Sequence, residues 1–291
     1  MALCFSPKYL TNNTTLVCYH SNCTDGFAAA VIAYTKFHDS ADYLAVQYNK
    51  EYDIDIFKDK NVFVVDFSFS RDFCEQINKV AKSLVILDHH VTAQFALEGL
   101  PYAKFDMTKS GALLTWEYFF SEFQTPKSIQ YVSDGDLWKR DNKNTIYFGK
   151  AIRTLPFDLK LWFDIFQKLE DQVFHDNFIA QGKAIDVFTN QQVDFISSIA
   201  QECEINGNPG LIVNCSTVFT SEVGNKLAEK SGTYGATYVI DKNGDVLLSL
   251  RSTGNFDTTK KLGSKGHKCA SGMAIPLNKL KFINNKVIID V

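Results

Sequence analysis

The chain is short of several things. It has six prolines in 291 residues, seven cysteines with no CxxC pair, and no excess of basic over acidic side chains. It also lacks any apolar run approaching the ~20 residues of a membrane span. Each shortage excludes a class. An odd set of cysteines (Cys4, Cys18, Cys23, Cys74, Cys203, Cys215 and Cys269) without paired spacing argues against a disulfide framework and against a thiolate zinc cage. The opening stretch MALCFSPKYLTNNTT has no basic segment leading into a long apolar one, so it is not expected to be a signal peptide. The expectation is a cytoplasmic protein with no membrane partner, in which the sequons at Asn13 and Asn214 are incidental. Lys+Arg total 30 against 33 Asp+Glu, a net charge of −3. That balance supplies no global basic field for coating long duplex DNA, yet it allows a small anion held by local charges.

What is present is a large core. Hydrophobic residues make up 45% of the chain and aromatics 13%, with 24 Phe among them, so a disordered chain is excluded. A length near the ~250–300 residues at which single cores stop growing predicts two domains. Short apolar runs at 16–19 (LVCY), 62–67 (VFVVDF) and 84–87 (LVIL) have the composition of buried strands. Helical patterns at 27–34, 71–82 and 110–123 alternate with them, Ser110 being a candidate N-cap. Such alternation predicts an α/β fold, a doubly wound and mainly parallel sheet covered on both faces. Residues 159–203 have a continuous helical pattern, and INGNPG at 205–210 is a breaker. Next come a strand, a helix and two strands, the last two joined by a hairpin at 241–245 carrying Asn243-Gly244. The predicted organisation is an α/β domain over 1–157, a helical connector over 158–204 and a smaller α/β domain over 205–291.

The chemistry lies just past the end of each N-terminal strand. LVCY runs into His20, with Asp25-Gly26 opening the next helix; VFVV runs into Asp66; LVIL runs into Asp88-His89-His90. Ligands of open parallel sheets bind beyond the carboxyl ends of the strands, so three consecutive strands deliver His and Asp to one edge. A lone Asp after a strand is commonly a turn or cap residue. Three adjacent ionisable residues after a buried strand are costly without partners or a metal, and three of the six histidines, His20, His89 and His90, fall at these strand ends. A metal site is the reading. Asp134 or Asp136 in YVSDGDLW is a fourth candidate.

These segments resemble a known family. HSNCTDGFAAA (20–30), VVDFS (64–68), LDHH (87–90) and SDGDLW (133–138) are similar to the four motifs of DHH phosphoesterases. GSKGHKCASG (263–272) resembles the glycine–histidine motif of the associated domain of RecJ-type exonucleases and nanoRNases. LSLRS (248–252) resembles that domain's phosphate-contacting segment, and Asp257 matches a commonly acidic position. The resemblance implies an active site in the cleft between two domains and two divalent ions, Mn²⁺ first, with Mg²⁺, Co²⁺, Fe²⁺ or Zn²⁺ as alternatives. It implies His20 and Asp66 on one ion, and Asp25, bridging Asp66, His89 and Asp134 on the other. Asp88 would orient His89 or lie near the ions, and His90 would face the substrate phosphate. Cys23 stands where most relatives carry an additional Asp. As a softer ligand it would shift metal choice towards zinc or iron, unless it serves only packing. Arg251, Ser252, Lys265, Gly266 and His267 would hold substrate, since glycines permit close backbone approach to phosphate and Arg251 can grip it bidentately.

The expected activity is metal-dependent hydrolysis of a phosphodiester or phosphomonoester through a two-metal-activated water. Its substrate would be a short nucleotide: an oligonucleotide, a cyclic or linear dinucleotide, or adenosine bisphosphate. Alternatives are a pyrophosphate or short-polyphosphate hydrolase and, from another class, a non-catalytic nucleotide-binding sensor. A short single-stranded oligonucleotide is the expected partner, and a homodimer is left open.

Overall fold

Valine, isoleucine and leucine run without polar interruption through the N-terminal strand segments, and such strands must be buried on both faces. The computed structural model describes Thr11 and residues 13–139 and 141–290. Cys4 and most of the opening segment lie outside them. The chain divides into two units, Met1–Asp186 and Val187–Val291.

In the first unit the strands are β1 (Thr15–His20), β2 (Ala41–Val46), β3 (Asn61–Val65), β4 (Ser83–Asp88) and β5 (Ala103–Phe105). They form one sheet of order β2-β1-β3-β4-β5 in which every pairing is parallel. The helices are α1 (Thr24–Phe37), α2 (Arg71–Val80), α3 (Val91–Ala96), α4 (Gly111–Phe120), α5 (Lys127–Asp136), α6 (Lys143–Ile152) and α7 (Leu159–Lys168), and α8 (Gln172–Ser198) runs past the unit boundary at Asp186. One face of the sheet is covered by α1, α4 and α7 through Phe27, Ile32, Ala112 and Trp162. On the other face Phe57, Cys74, Ile77 and Leu97 pack against Leu16, Val62 and Ile86. Both faces are covered, as the doubly wound expectation requires. From β1 the chain moves out to β2 and then returns to the far side of β1 as β3. The strand order therefore reverses between β1 and β3, where ligands of such sheets bind.

The second unit, by itself, holds β6 (Gln201–Ile205), β7 (Asn208–Asn214), β8 (Tyr234–Ile240), β9 (Asp245–Ser252), β10 (Lys265–His267), β11 (Ala270–Pro276), β12 (Leu280–Ile283) and β13 (Lys286–Ile289), with helices α9 (Thr220–Ser231) and α10 (Thr258–Leu262). Its eight strands form a mixed sheet of order β10-β11-β9-β8-β7-β6-β13-β12.

The helical pattern expected to run to residue 203 ends at Ser198, and Cys203 is a fully buried strand residue. INGNPG is not a bare breaker. Asn206 and Gly207, both at positive φ, turn a hairpin, and Asn208, Pro209 and Gly210 already belong to β7. Tertiary pairing overrode local propensity here, because Cys203 and Ile205 are buried against the sheet of their own unit. β2 and β5 had no expectation attached to them. Among the described residues, no helix is long and apolar enough to cross a membrane, and every cysteine is free.

Candidate metal centre

Three strand ends and two helix ends, the start of α1 with Asp25 and the end of α5 with Asp136, build the site. His20 closes β1, Asp66 follows β3 and Asp88-His89 ends β4, all at the carboxyl edge of the parallel sheet. Asp66 has φ 55°, so the chain turns into the left-handed region directly after the strand and re-aims the carboxylate. Backbone strain of that kind needs a surround that over-determines it. Here Asp66 is 1% exposed, and its N–H donates to the Leu87 carbonyl at 2.9 Å.

The Asp66 carboxylate lies between two groups of donors. Its Oδ2 is 3.6 Å from His20 Nδ1, and its Oδ1 is 3.1 Å from His89 Nε2. His89 Nε2 in turn lies 3.7 Å from Asp25 Oδ2 and 3.5 Å from Asp136 Oδ2. His20, Cys23 and Asp66 form one set whose ligand atoms lie within 4.8 Å of one another; Asp25, His89 and Asp136 form a second, and Asp66, His89 and His90 a third. His20 Nδ1 and both Asp66 carboxylate oxygens are buried without a hydrogen-bond partner. The His20 and His89 imidazoles balance part of this charge, but carboxylate oxygens buried without a hydrogen bond remain a need that a divalent cation would meet. Imidazole, carboxylate and one thiol suit a divalent ion, so the residues present fit a metal.

The electrostatics agree. Burial pushes the Asp25 carboxyl well above its ordinary range, and the carboxylates of Asp66 and Asp136 push it further. Burial raises Asp136 too. For Asp66 the desolvation is more than offset by the imidazoles of His20 and His89, which hold it down at about 2. Burial alone would lower His89; contact with Asp66 and the charges of Asp66, Asp25 and Asp136 instead raise it to about 9. The Cys23 thiol is pushed up by burial and then by the Asp66 and Asp25 carboxylates.

Two glycines make room for this packing. A Cβ on Gly111 would stand 2.4 Å from Asp66 Cβ, and one on Gly26 would stand 2.6 Å from the His20 carbonyl oxygen. Asp25 is anchored across the fold. Its Oδ2 accepts the Gly111 N–H at 2.6 Å and its Oδ1 the Ala112 N–H at 3.0 Å, placing the carboxylate on the N-terminus of α4. Ser110 caps the same helix, as expected, by accepting the Leu113 N–H.

The expected residues are not all brought together. Asp136, not Asp134, reaches the cluster. Both lie on α5 two positions apart, which puts them on opposite sides of a helix, and only one can face inward. Asp88 is fully buried and orients His90 as well as the backbone of His89. Its Oδ1 meets His90 Nδ1 at 2.6 Å and accepts the His89 N–H at 2.7 Å, while Oδ2 accepts the Ser68 hydroxyl at 2.6 Å. With Nδ1 engaged, Nε2 is the ring atom His90 has left to offer. Sequence reasoning missed Tyr48, whose ring lies 5.5 Å from that of His20 and 6.3 Å from that of His90. It lies on the loop after β2, a strand with no expectation of its own. Ser68, by contrast, sits inside the quoted VVDFS segment.

Asp88→Ala is expected to cut metal affinity and any metal-dependent turnover by about 10–100-fold, the usual effect of losing a residue that orients a ligand. It should also lower the melting temperature, because Ser68 and His90 lose a buried acceptor. Calorimetric metal titration with a thermal melt measures both. Metal affinity should also climb with pH and level off above about 9, since His89 must release its raised proton to bind an ion. Metal titrations at several pH values, with proton release measured in two buffers, test the sign.

The remaining predicted residues belong to the second unit. Arg251 is half-buried on β9, and its guanidinium donates to Ser221 Oγ at 2.9 Å and to the Leu250 carbonyl at 3.0 Å. The Ser252 hydroxyl is already used, donating to the Phe256 carbonyl at 2.6 Å. Lys265, Gly266 and His267 are exposed on β10, which forms an antiparallel hairpin with β11. Gly266 has φ +131°, and an added Cβ would stand 2.9 Å from the Ala270 carbonyl oxygen, so this glycine serves the hairpin's backbone. Arg251 and His267 are both register partners of Ala270 and so project from one face of three adjacent strands. Asp257 is the N-cap of α10, accepting the N–H groups of Thr259 and Lys260.

The fold and site define a mixed α/β protein with a candidate metal centre at the switch point of a parallel sheet. No family model matches the sequence. The chain is 29% identical over 287 residues to an uncharacterized protein of Acanthamoeba polyphaga mimivirus, covering 89% of this chain and 67% of that one. Among solved structures, RecJ in complex with Mn²⁺ from Thermus thermophilus matches with a TM-score of 0.49 and 11% identity, over 90% of this chain and 49% of that chain. This chain thus corresponds to about half the length of that RecJ. An uncharacterized protein from Helicobacter pylori matches with a TM-score of 0.45 and 15% identity, over 90% and 93% of the two chains.

Proposed function

We propose that this chain is a metal-dependent phosphoesterase of the DHH type, hydrolysing a phosphoester of a short nucleotide. The observation that carries the reading is the Asp66 carboxylate, buried without a hydrogen bond and set between the imidazoles of His20 on one side and His89 on the other. Two ions fit this arrangement, Mn²⁺ first among them. His20 and Asp66 would hold one, with Cys23 in reach; Asp25, Asp66, His89 and Asp136 would hold the other. Bound divalent ions supply Lewis acidity and make water a usable nucleophile near neutral pH.

The chain's own residues do the rest. Asp88 accepts from His90 Nδ1 and raises that ring's pKa, so the imidazolium form of His90 would donate its Nε2–H to a phosphate oxygen. Gly111 and Ala112 hold the Asp25 carboxylate by two backbone N–H groups, so its orientation is set before any ion arrives. Arg251 and His267 are the second unit's candidates for gripping a substrate phosphate.

The reading is tested by assaying purified protein with Mn²⁺ against a linear dinucleotide, a cyclic dinucleotide, adenosine bisphosphate and pyrophosphate. Turnover of a nucleotide ester supports it. Turnover of pyrophosphate alone replaces it with an anhydride hydrolase, and nucleotide binding without turnover replaces it with a sensor. Arg251→Ala and His267→Ala should each raise KM for the nucleotide by about 10–100-fold, the ~1.5–3 kcal/mol of a charge-assisted hydrogen bond. Hydrolysis of a small bis-aryl phosphate should be indifferent to both changes. Equal losses on the two substrates would sink the phosphate-gripping role.

A further inference from the structure

A metal-ligating imidazole needs its ring held at one angle, and a hydrogen bond to the nitrogen that does not bind the ion is the usual means. The three histidines at the sheet edge differ in this respect. His90 is held through Nδ1 by Asp88 at 2.6 Å, and His89 Nε2 has three carboxylates within 3.7 Å. His20 has Asp66, whose Oδ2 is 3.6 Å from Nδ1, too far for a hydrogen bond. That nitrogen is buried without a hydrogen-bond partner.

What packs around the His20 ring is aromatic. Tyr48 meets it nearly edge to face, with centroids 5.5 Å apart and planes at 74°. Phe67 lies 5.8 Å away and His90 5.9 Å. Aromatic pairs at such distances contribute about 0.5–1.5 kcal/mol each beyond the area they bury, and they favour particular angles. Phe67 is 2% exposed and belongs to the core; Tyr48 is 43% exposed.

A tyrosine on a surface loop is ordinarily free to follow the solvent. Tyr48 is seated instead. Its ring lies against Phe67 at 4.5 Å, with planes at 34°, and reaches His90 at 6.3 Å. The loop that carries it is tied down on both sides. Before Tyr48, the Val46 carbonyl accepts the N–H of Ser21, the residue after His20, at 2.8 Å. After it, the Tyr52 hydroxyl accepts the Gln47 N–H at 2.8 Å, and the Tyr52 ring packs on Phe69 at 5.6 Å. The ends of β1 and β2 therefore fix where Tyr48 stands relative to His20.

We propose that Tyr48 is a positioning residue of the metal centre: its ring, packed against His20 and His90, sets the angle of the His20 imidazole that a hydrogen bond would otherwise set. The proposal rests on the metal-dependent reading of the site and adds to it a residue outside the segments that resemble the family's motifs. It concerns the ion held by His20 and Asp66. Asp25, His89 and Asp136 form the other set, and among the described residues Tyr48 makes no ring contact with His89.

Calorimetric titration with Mn²⁺ tests this. The unaltered protein should show two binding events. Tyr48→Ala and the bulkier Tyr48→Leu, which keeps Phe67 covered but has no flat ring, should weaken one event by about 10–100-fold and leave the other within about twofold. Tyr48→Phe should retain both, since it keeps the ring. Imidazole NMR of the metal-free protein gives a second readout. The His20 resonances should move in Tyr48→Leu while those of His89 stay, and Tyr48→Phe should resemble the unaltered protein. Both events weakened alike, neither weakened, or Tyr48→Phe as poor as Tyr48→Leu would overturn the positioning role and leave the metal centre standing. No Mn²⁺ binding by the unaltered protein would overturn the metal-dependent reading itself, and the positioning role with it.

Discussion

Asp66→Asn is expected to abolish metal-dependent turnover, with a fall of about 10³-fold or more, on the order of 4 kcal/mol of transition-state stabilisation. The change keeps the side chain's shape and removes only its charge. Each carboxylate oxygen of Asp66 faces a different imidazole, His20 through Oδ2 and His89 through Oδ1. A neutral amide there also presents an N–H₂ group to one of the two imidazoles, where an acceptor is needed. Calorimetry with Mn²⁺ should show both binding events weakened. A variant that kept near-normal activity, or lost only one binding event, would overturn the proposal that Asp66 bridges two ions.

Gly111→Ala carries the second large effect, and its sign separates sterics from helix propensity. At the first residue of α4 an alanine should help the helix. Here the added methyl would stand 2.4 Å from Asp66 Cβ, 2.7 Å from Asp66 Oδ1 and 2.8 Å from Asp66 Cα. Two of these atoms, Asp66 Cβ and Cα, cannot swing aside as a side-chain tip could, so either α4 or the strained Asp66 turn must move. Overpacking of this kind costs about 1–3 kcal/mol, enough to lower the melting temperature by several degrees. The displaced N–H groups of Gly111 and Ala112 would no longer fit the Asp25 carboxylate, so metal affinity should fall with stability. Gly149→Ala is the control, because its methyl meets nothing within 4 Å. It should raise stability by about 0.5–1 kcal/mol. Thermal melts of the two variants with opposite signs are the expected result; two stabilised proteins would mean that the approach of α4 to Asp66 is not tight.

Much of the candidate site's sheet edge could be read from residue order alone. The runs LVCY, VFVV and LVIL are dense enough in apolar residues to be buried strands, and each ends in His or Asp, so parallel pairing places those residues on one edge. Period and composition are local properties, and they carry as far as the strand ends. The hairpin at Asn243-Gly244 and the Ser110 cap were local for the same reason. The strand β6 was not. Its residues have no strand signature of their own and become a strand only by pairing with β7 and β13.

The assembly of the site depended on contacts between distant parts of the chain. Asp25 meets Gly111 across 86 positions, a partnership that no spacing reveals. Asp134 and Asp136 are chemically alike and two residues apart; the rotation of α5 about its axis, set by packing on α6 and α4, turns Asp136 inward. LDHH shows an acid beside two histidines without showing which one it serves, and the turn after β4 brings the Asp88 carboxylate onto His90 Nδ1. Residue order therefore established which chemical groups gather at the sheet edge. Which atoms of those groups face one another was settled by close packing, because side-chain direction is fixed by how helices and strands from distant segments fit together.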